Sequence, residues 1–229
     1  IMEGTATVVK HTGSHYLLAQ LPSWRLFPAV LRGKVRLGGS SATNPVAVGD
    51  RVEFHTDGDL LPDGSVPASE TVPAAITRIL PRRNYIIRKS VNLSRQAHII
   101  AANIDHAFIV VTLAFPEVKL PFIDRLLVTC EVYGVKPVIV LNKIDIVDEF
   151  RDDFAPALEN FHRIYEGAGY SILEVSAKTG RGVDELRRLC LEKSEDGAPG
   201  ISLFSGVSGV GKSSLIKAMD PSLNPKTGL

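Results

Sequence analysis

The octapeptide Gly206-Val207-Ser208-Gly209-Val210-Gly211-Lys212-Ser213 matches G-x-x-x-x-G-K-[ST], a pattern that dictates its own surroundings. It works only where a buried strand delivers the loop and a helix begins at the lysine, because loop amides and a helix N-terminus must converge on one anion. Both flanks are present. Residues 201–204 read as a short buried strand, and 212–219 as a helix closed by Asp220-Pro221. The glycines let the backbone curl so that N–H groups face phosphate oxygens. Phosphate contact is therefore expected from residues 206–214, which adds Ser214 to the octapeptide. Lys212 is expected to reach the outer phosphates and to carry the main catalytic charge, and the Ser213 hydroxyl to ligate Mg²⁺.

The chain around this loop alternates. Residues 106–113, 136–141 and 171–175 are apolar runs of strand length, as strands buried on both faces should be. Between them, 119–133 carries Phe122, Leu126, Cys130 and Tyr133 at helical spacing, with Pro121 early and Gly134 as a stop. The segment 148–166 repeats Phe150, Phe154, Leu158 and Phe161, although Pro156 should kink or split it. A further helix is expected over 183–192. Such alternation predicts a parallel sheet with helices on both faces.

Before residue 81 the texture differs. Five short strands are expected, over 5–10, 15–20, 28–37, 51–54 and 74–80, with loops at 38–41 and 57–69 and no helix. Five short strands avoid open edges by closing into a small barrel, either OB or SH3-like on strand number alone. The expected organisation is multi-domain: an all-β barrel over 1–80, a basic connector over 81–103 and an α/β P-loop domain over 104–229. Composition fits globular domains, with 45% hydrophobic and 22% charged residues, and a net charge of +1 gives no global field for nucleic acid. Two cysteines, no visible signal peptide and a longest apolar run of nine residues (107–115) predict a soluble, cytoplasmic protein without a membrane partner.

Two further motifs follow strand ends, where α/β folds bind ligands. In Asn142-Lys143-Ile144-Asp145 the aspartate can accept from the N1–H and exocyclic amine of guanine, whereas adenine would leave the carboxylate unpaired. Asn142 can address the other guanine edge, and the Lys143 stem can lie along the purine face. In Ser176-Ala177-Lys178 the Ala177 amide can meet guanine O6. Each motif is weak alone. Together with the phosphate loop in one α/β unit they predict a guanine-nucleotide pocket binding GTP or GDP.

Their order is unusual. In ordinary G proteins the phosphate loop comes first, whereas here Asn142 precedes Ser176 and Ser176 precedes Gly206. The chain thus resembles a circularly permuted GTPase, a rearrangement that compact domains tolerate when their original termini lie close together. With a barrel in front, it is similar to the RsgA/YjeQ family of small-ribosomal-subunit biogenesis GTPases. The resemblance runs through Val48-Gly49-Asp50-Arg51-Val52, Asn84-Tyr85, Asn103-Ile104-Asp105, the three motifs and Asn224-Pro225-Lys226-Thr227-Gly228. It implies an OB domain that binds RNA, a permuted GTPase domain, GTP hydrolysis with Mg²⁺, and action as a monomer on the small (30S) subunit and its rRNA in late maturation. The alternative is an RNA-binding assembly factor that senses GTP or GDP without useful turnover.

Departures from the family pattern are equally legible. No aspartate is followed three positions later by glycine, so a D-x-x-G motif is missing, as are a switch threonine and the family's C-terminal zinc region. Residues are therefore expected to be missing at both ends. Gly209 stands where some K⁺-using GTPases carry asparagine, so K⁺ dependence has no support here. Between Thr71 and Ile104 no residue is acidic, while Arg78, Arg82, Arg83, Arg88, Lys89 and Arg95 supply six cations. This local stretch is the expected RNA contact. Tyr16, Trp24, Phe27 and Phe54 are weighed more heavily as barrel core than as base-stacking rings, and Cys130 and Cys190 as buried, inert thiols.

Overall fold

The computed structural model describes residues 2–32, 46–89, 97–223 and 225. They fall into two compact units, Ile1–Ile104 and Asp105–Leu229.

In the first unit, β1 (Met2–Thr12), β2 (His15–Gln20), β3 (Arg25–Leu31), β4 (Arg51–Thr56) and β5 (Ala74–Ile79) close a barrel in the order β1-β2-β3-β5-β4. β3 and β5 pair in parallel and the other neighbours antiparallel. This is an OB-like arrangement, which decides between the two barrels that strand number leaves open. Closure depends on β1 serving two neighbours. Its first half pairs with β4 (Met2 to Thr7) and its second half with β2 (Thr7 to Thr12), with a register irregularity between Val8 and Lys10. Such an irregularity bends and twists a strand where a sheet must turn on itself. β4 alternates strictly, with Val52, Phe54 and Thr56 inward, so one face fills the barrel. Leu18, Val52, Phe54 and Ile76 are its innermost side chains, and the Phe27 and Phe54 rings meet at 4.8 Å. Of the four aromatics considered above, Tyr16, Phe27 and Phe54 are core, whereas Trp24 is half exposed. The expected strand over 28–37 starts earlier, and its part beyond residue 32 lies outside the described residues.

Residues 81–103, expected as a connector, hold a hairpin of β6 (Tyr85–Lys89) and β7 (Ala97–Ala102) that groups with the barrel. Polar bonds fasten it there. Asp50, with no exposed side-chain surface, accepts two hydrogen bonds from Arg82 at 2.6 Å each and one from the Ala47 amide at 2.8 Å. Asn103 donates to the Gly49 carbonyl, and the Asn84 amide bonds both the N–H and the C=O of Ile104.

The second unit is built on a parallel sheet in the order β10-β9-β8-β11. Its strands are β8 (His106–Val111), β9 (Pro137–Leu141), β10 (Ile172–Glu174) and β11 (Ser202–Ser205). The two central strands are buried almost throughout and the two outer ones only partly, as their places in the sheet require. The helices are α1 (Leu120–Tyr133), α2 (Ile144–Glu149), α3 (Arg151–Gly167), α4 (Val183–Cys190) and α5 (Lys212–Met219). α1 ends on Gly134 in the left-handed region, its amide reaching back to Cys130 and Glu131. Its buried residues are Ile123, Leu127 and Cys130, one position along from the expected Phe122 and Leu126. The expected helix 148–166 is two helices, divided at Phe150 (φ −113°, ψ 47°), while α3 runs on through Pro156. Arg187 of α4 donates to the Met219 and Ala218 carbonyls, capping the C-terminal end of α5. Among the described residues no helix is long and apolar enough to cross a membrane.

Candidate nucleotide-binding site

Three loops leave the carboxyl ends of strands of one parallel sheet, with β8 between β9 and β11. β9 runs into Asn142-Lys143-Ile144-Asp145, β10 into Ser176-Ala177-Lys178, and β11 into the loop that begins at Gly206. The edge of a parallel α/β sheet is where such folds hold ligands. An open cleft of about 390 Å³ lies there, lined by Asn142, Lys143, Asp145, Ile146, Ala177, Lys178, Gly211 and Ser214. All three motifs therefore contribute to one cavity.

The phosphate loop is shaped by close approach. A Cβ on Gly206 would lie 2.4 Å from the Val110 carbonyl oxygen, and one on Gly211 (φ +95°) 2.4 Å from Asn142 Nδ2. Neither position has room for a side chain. Lys212 opens α5 and turns its ammonium back over the loop, donating to the Gly206 and Val207 carbonyls at 2.8 Å each. Burial lowers its pKa from the ordinary lysine value. A phosphate oxygen is a stronger, charged acceptor for the same group. Ser213 is half-buried at the second helical position, Ser208 and Gly209 are exposed, and Val210 is wholly buried.

On the side of the other two motifs, Asp145 accepts a 2.7 Å hydrogen bond from the Ser176 hydroxyl through one carboxylate oxygen. The Ser176 hydroxyl in turn accepts from the Thr179 amide at 3.1 Å, so the carboxylate is oriented by a hydroxyl that is itself held. Lys143 adopts the left-handed conformation (φ +60°), and its ammonium bridges the Phe115 and Gly209 carbonyls, laying its stem across the cleft. Lys178 is exposed at the rim.

Two residues of the first motif also have structural partners. Asn142 is buried, donating to the Val210 carbonyl at 2.8 Å and accepting from the Ala177 amide at 3.3 Å. It ties the phosphate loop to the 176–178 loop. Ile144 is core, with 1% exposure and its amide on the Val175 carbonyl, so it spaces its neighbours and does not face the cleft. The Phe115 carbonyl helps hold the Lys143 ammonium, a contact that leaves no side-chain signature in the sequence.

The basic stretch is not a free cationic face. Arg82 is held by Asp50, Arg78 pairs with Glu53 at 2.5 Å, and Arg83 donates to the Asn103 carbonyl. Arg95 and the side chains of Arg88 and Lys89 lie outside the described residues. Burial raises the thiol pKa of both cysteines, for Cys130 to about 11. Among the described residues no group of three or more His, Cys, Asp or Glu side chains is placed to hold a metal ion.

Known proteins resemble this chain over most of its length. A sequence model of the RsgA GTPase family matches residues 79–229. The small ribosomal subunit biogenesis GTPase RsgA of Flavobacterium johnsoniae is 42% identical over 225 residues, 98% of this chain and 63% of that protein. Its namesake from Bacteroides fragilis is 41% identical over 220 residues, 96% and 64% respectively. This chain thus spans a little under two thirds of the length of the curated relatives it matches. Among solved structures, YjeQ from Thermotoga maritima superposes with a TM-score of 0.71 at 32% identity, covering 99% of this chain and 68% of that one. YloQ, a circularly permuted GTPase, gives 0.64 at 22% identity over 96% and 66%. An OB-like barrel precedes a G domain of permuted order, and the chain belongs to the RsgA GTPase family.

Proposed function

We propose that the cleft binds GTP and GDP, and that the protein hydrolyses GTP to GDP and phosphate in the cytoplasm during late maturation of the small ribosomal subunit, with that subunit and its rRNA as partners. The observation that carries the nucleotide reading is the joint lining of one cleft by Asp145, Ala177 and Gly211, one residue from each motif. The name carried by its relatives, small ribosomal subunit biogenesis GTPase, supports the partner.

The loop's chemistry is positioning and charge stabilisation. Lys212 can exchange its two carbonyl acceptors for phosphate oxygens and offset charge as the terminal phosphoryl group departs toward water. The Ser213 hydroxyl is a hard oxygen donor at the junction of loop and helix, a group that fits Mg²⁺. Bound there, the ion would neutralise phosphate charge. RNA contact falls to Arg83, Arg88, Lys89 and Arg95 and to the exposed part of Arg78, since Arg82 is held internally. Turnover of GTP measured with and without purified small subunits tests the proposal. The expected result is slow hydrolysis that accelerates with subunits. Binding without turnover under either condition would favour a nucleotide sensor.

A further inference from the structure

Behind the base-reading edge runs a chain of six ionisable groups, base and acid in turn: Arg151, Asp148, Arg181, Glu174, His162 and Glu166. Arg151 donates to Asp148 at 2.8 Å; Arg181 donates to Asp148 at 2.6 Å and to Glu174 at 2.8 Å; His162 contacts Glu174 and Glu166 at 2.9 Å each. Its centre is Arg181. Asp148 lies on α2, one turn beyond Asp145, and Glu174 ends β10, two residues before Ser176. One guanidinium therefore joins the helix that carries the base-reading carboxylate to the strand that delivers the base-reading loop.

The Arg181 backbone closes the same loop. Its carbonyl accepts from the Ser176 amide at 2.9 Å, and the Gly180 amide donates to the Ser176 carbonyl at 2.9 Å. An isolated exposed pair contributes little. Here the planar fork is fixed at both ends within a network and by its own main chain, a geometry that lysine cannot reproduce.

We propose that Arg181 is a positioning residue for the guanine pocket, setting the spacing between Asp145 and the 176–178 loop. The proposal rests on the guanine-nucleotide reading above. GDP and IDP share ribose, phosphates and N1–H, and differ in the 2-amino group that the Asp145 carboxylate would accept from. A change in that spacing should therefore weaken GDP more than IDP, whereas general loosening of the fold should weaken both alike.

The test measures GDP, IDP and ADP affinities by calorimetry for the full chain and for Arg181→Ala, Arg181→Lys and Asp148→Asn. The expected result is about fivefold weaker GDP binding in Arg181→Ala with a correspondingly narrower GDP-to-IDP ratio. Arg181→Lys should recover it only in part. Asp148→Asn should reproduce the loss, and a double variant combining Arg181→Ala with Asp148→Asn, measured in the same way, should be no worse than either single one. Unchanged affinities, equal losses for GDP and IDP, or additive losses in the double variant would each overturn the positioning role. A parent chain that binds GDP no better than ADP would contradict the guanine reading itself, and this proposal with it.

Discussion

At the scale of single residues, the site depends on atoms that leave no latitude. Gly211 has φ +95° and no space for a Cβ beside Asn142 Nδ2. Gly211→Ala should push Asn142 away, break its bond to the Val210 carbonyl and strain the loop by about 1–3 kcal/mol. GDP affinity is expected to fall about 10- to 100-fold by calorimetry while the circular dichroism spectrum is retained. Asp145 offers an acceptor-only carboxylate oriented by Ser176. In Asp145→Asn one oxygen becomes a donor, so guanine should lose at least about 100-fold in affinity and xanthine nucleotides should gain. Competition between GDP and XDP checks this, and retained guanine preference would count against the base-reading role. Lys212→Ala removes the cation of the loop, and unchanged GDP affinity in that variant would refute its phosphate contact.

At the scale of elements, the strands and helices of the second unit were largely legible because β8 and β9 are buried on both faces and read as unbroken apolar runs. Boundaries failed where apolar residues were too plentiful to choose between. Phe122-Ile123 and Leu126-Leu127 are adjacent apolar pairs, so the buried face of α1 could be read one position off. The apolar period also runs straight through Phe150, which hides the division between α2 and α3. The β6–β7 hairpin leaves a weak sequence signal, because its strands are short and Arg88 and Lys89 interrupt the apolar pattern. In the site, the three motif segments were legible, whereas the Asn142 bridge and the Arg181 chain depend on which of many polar groups meet in space. Two outcomes belong to this scale. Arg82→Ala leaves the buried Asp50 carboxylate without its cation, and should cost about 3–5 kcal/mol in urea unfolding; a cost confined to RNA affinity would contradict the structural role. Burial lowers the pKa of His162, but its bonds to Glu166 and Glu174 outweigh that and raise it above the ordinary 6.5. A raised histidine holds its proton more tightly in the folded state, so its contribution is complete below about pH 6.5 and is lost as pH rises through the folded value. The stability gap between the parent chain and His162→Gln should therefore be larger at about pH 6 than at about pH 8.5.

At the scale of the whole molecule, the order of the motifs carries the most information. The three motif loops converge because the strands of one parallel sheet present their carboxyl ends at the same edge, whatever order the chain visits them in. A permuted G domain therefore keeps its pocket while its termini move. The barrel joins it with a charge balance of only +1 over the full sequence, so any hold on rRNA must come from local patches and show strong salt dependence. The central claim is that this convergence makes a guanine-selective pocket. Titration calorimetry of GDP against ADP in the presence of Mg²⁺ tests it most directly. GDP should bind tightly and ADP at least about 100-fold more weakly, and equal affinities for the two nucleotides would contradict guanine selectivity.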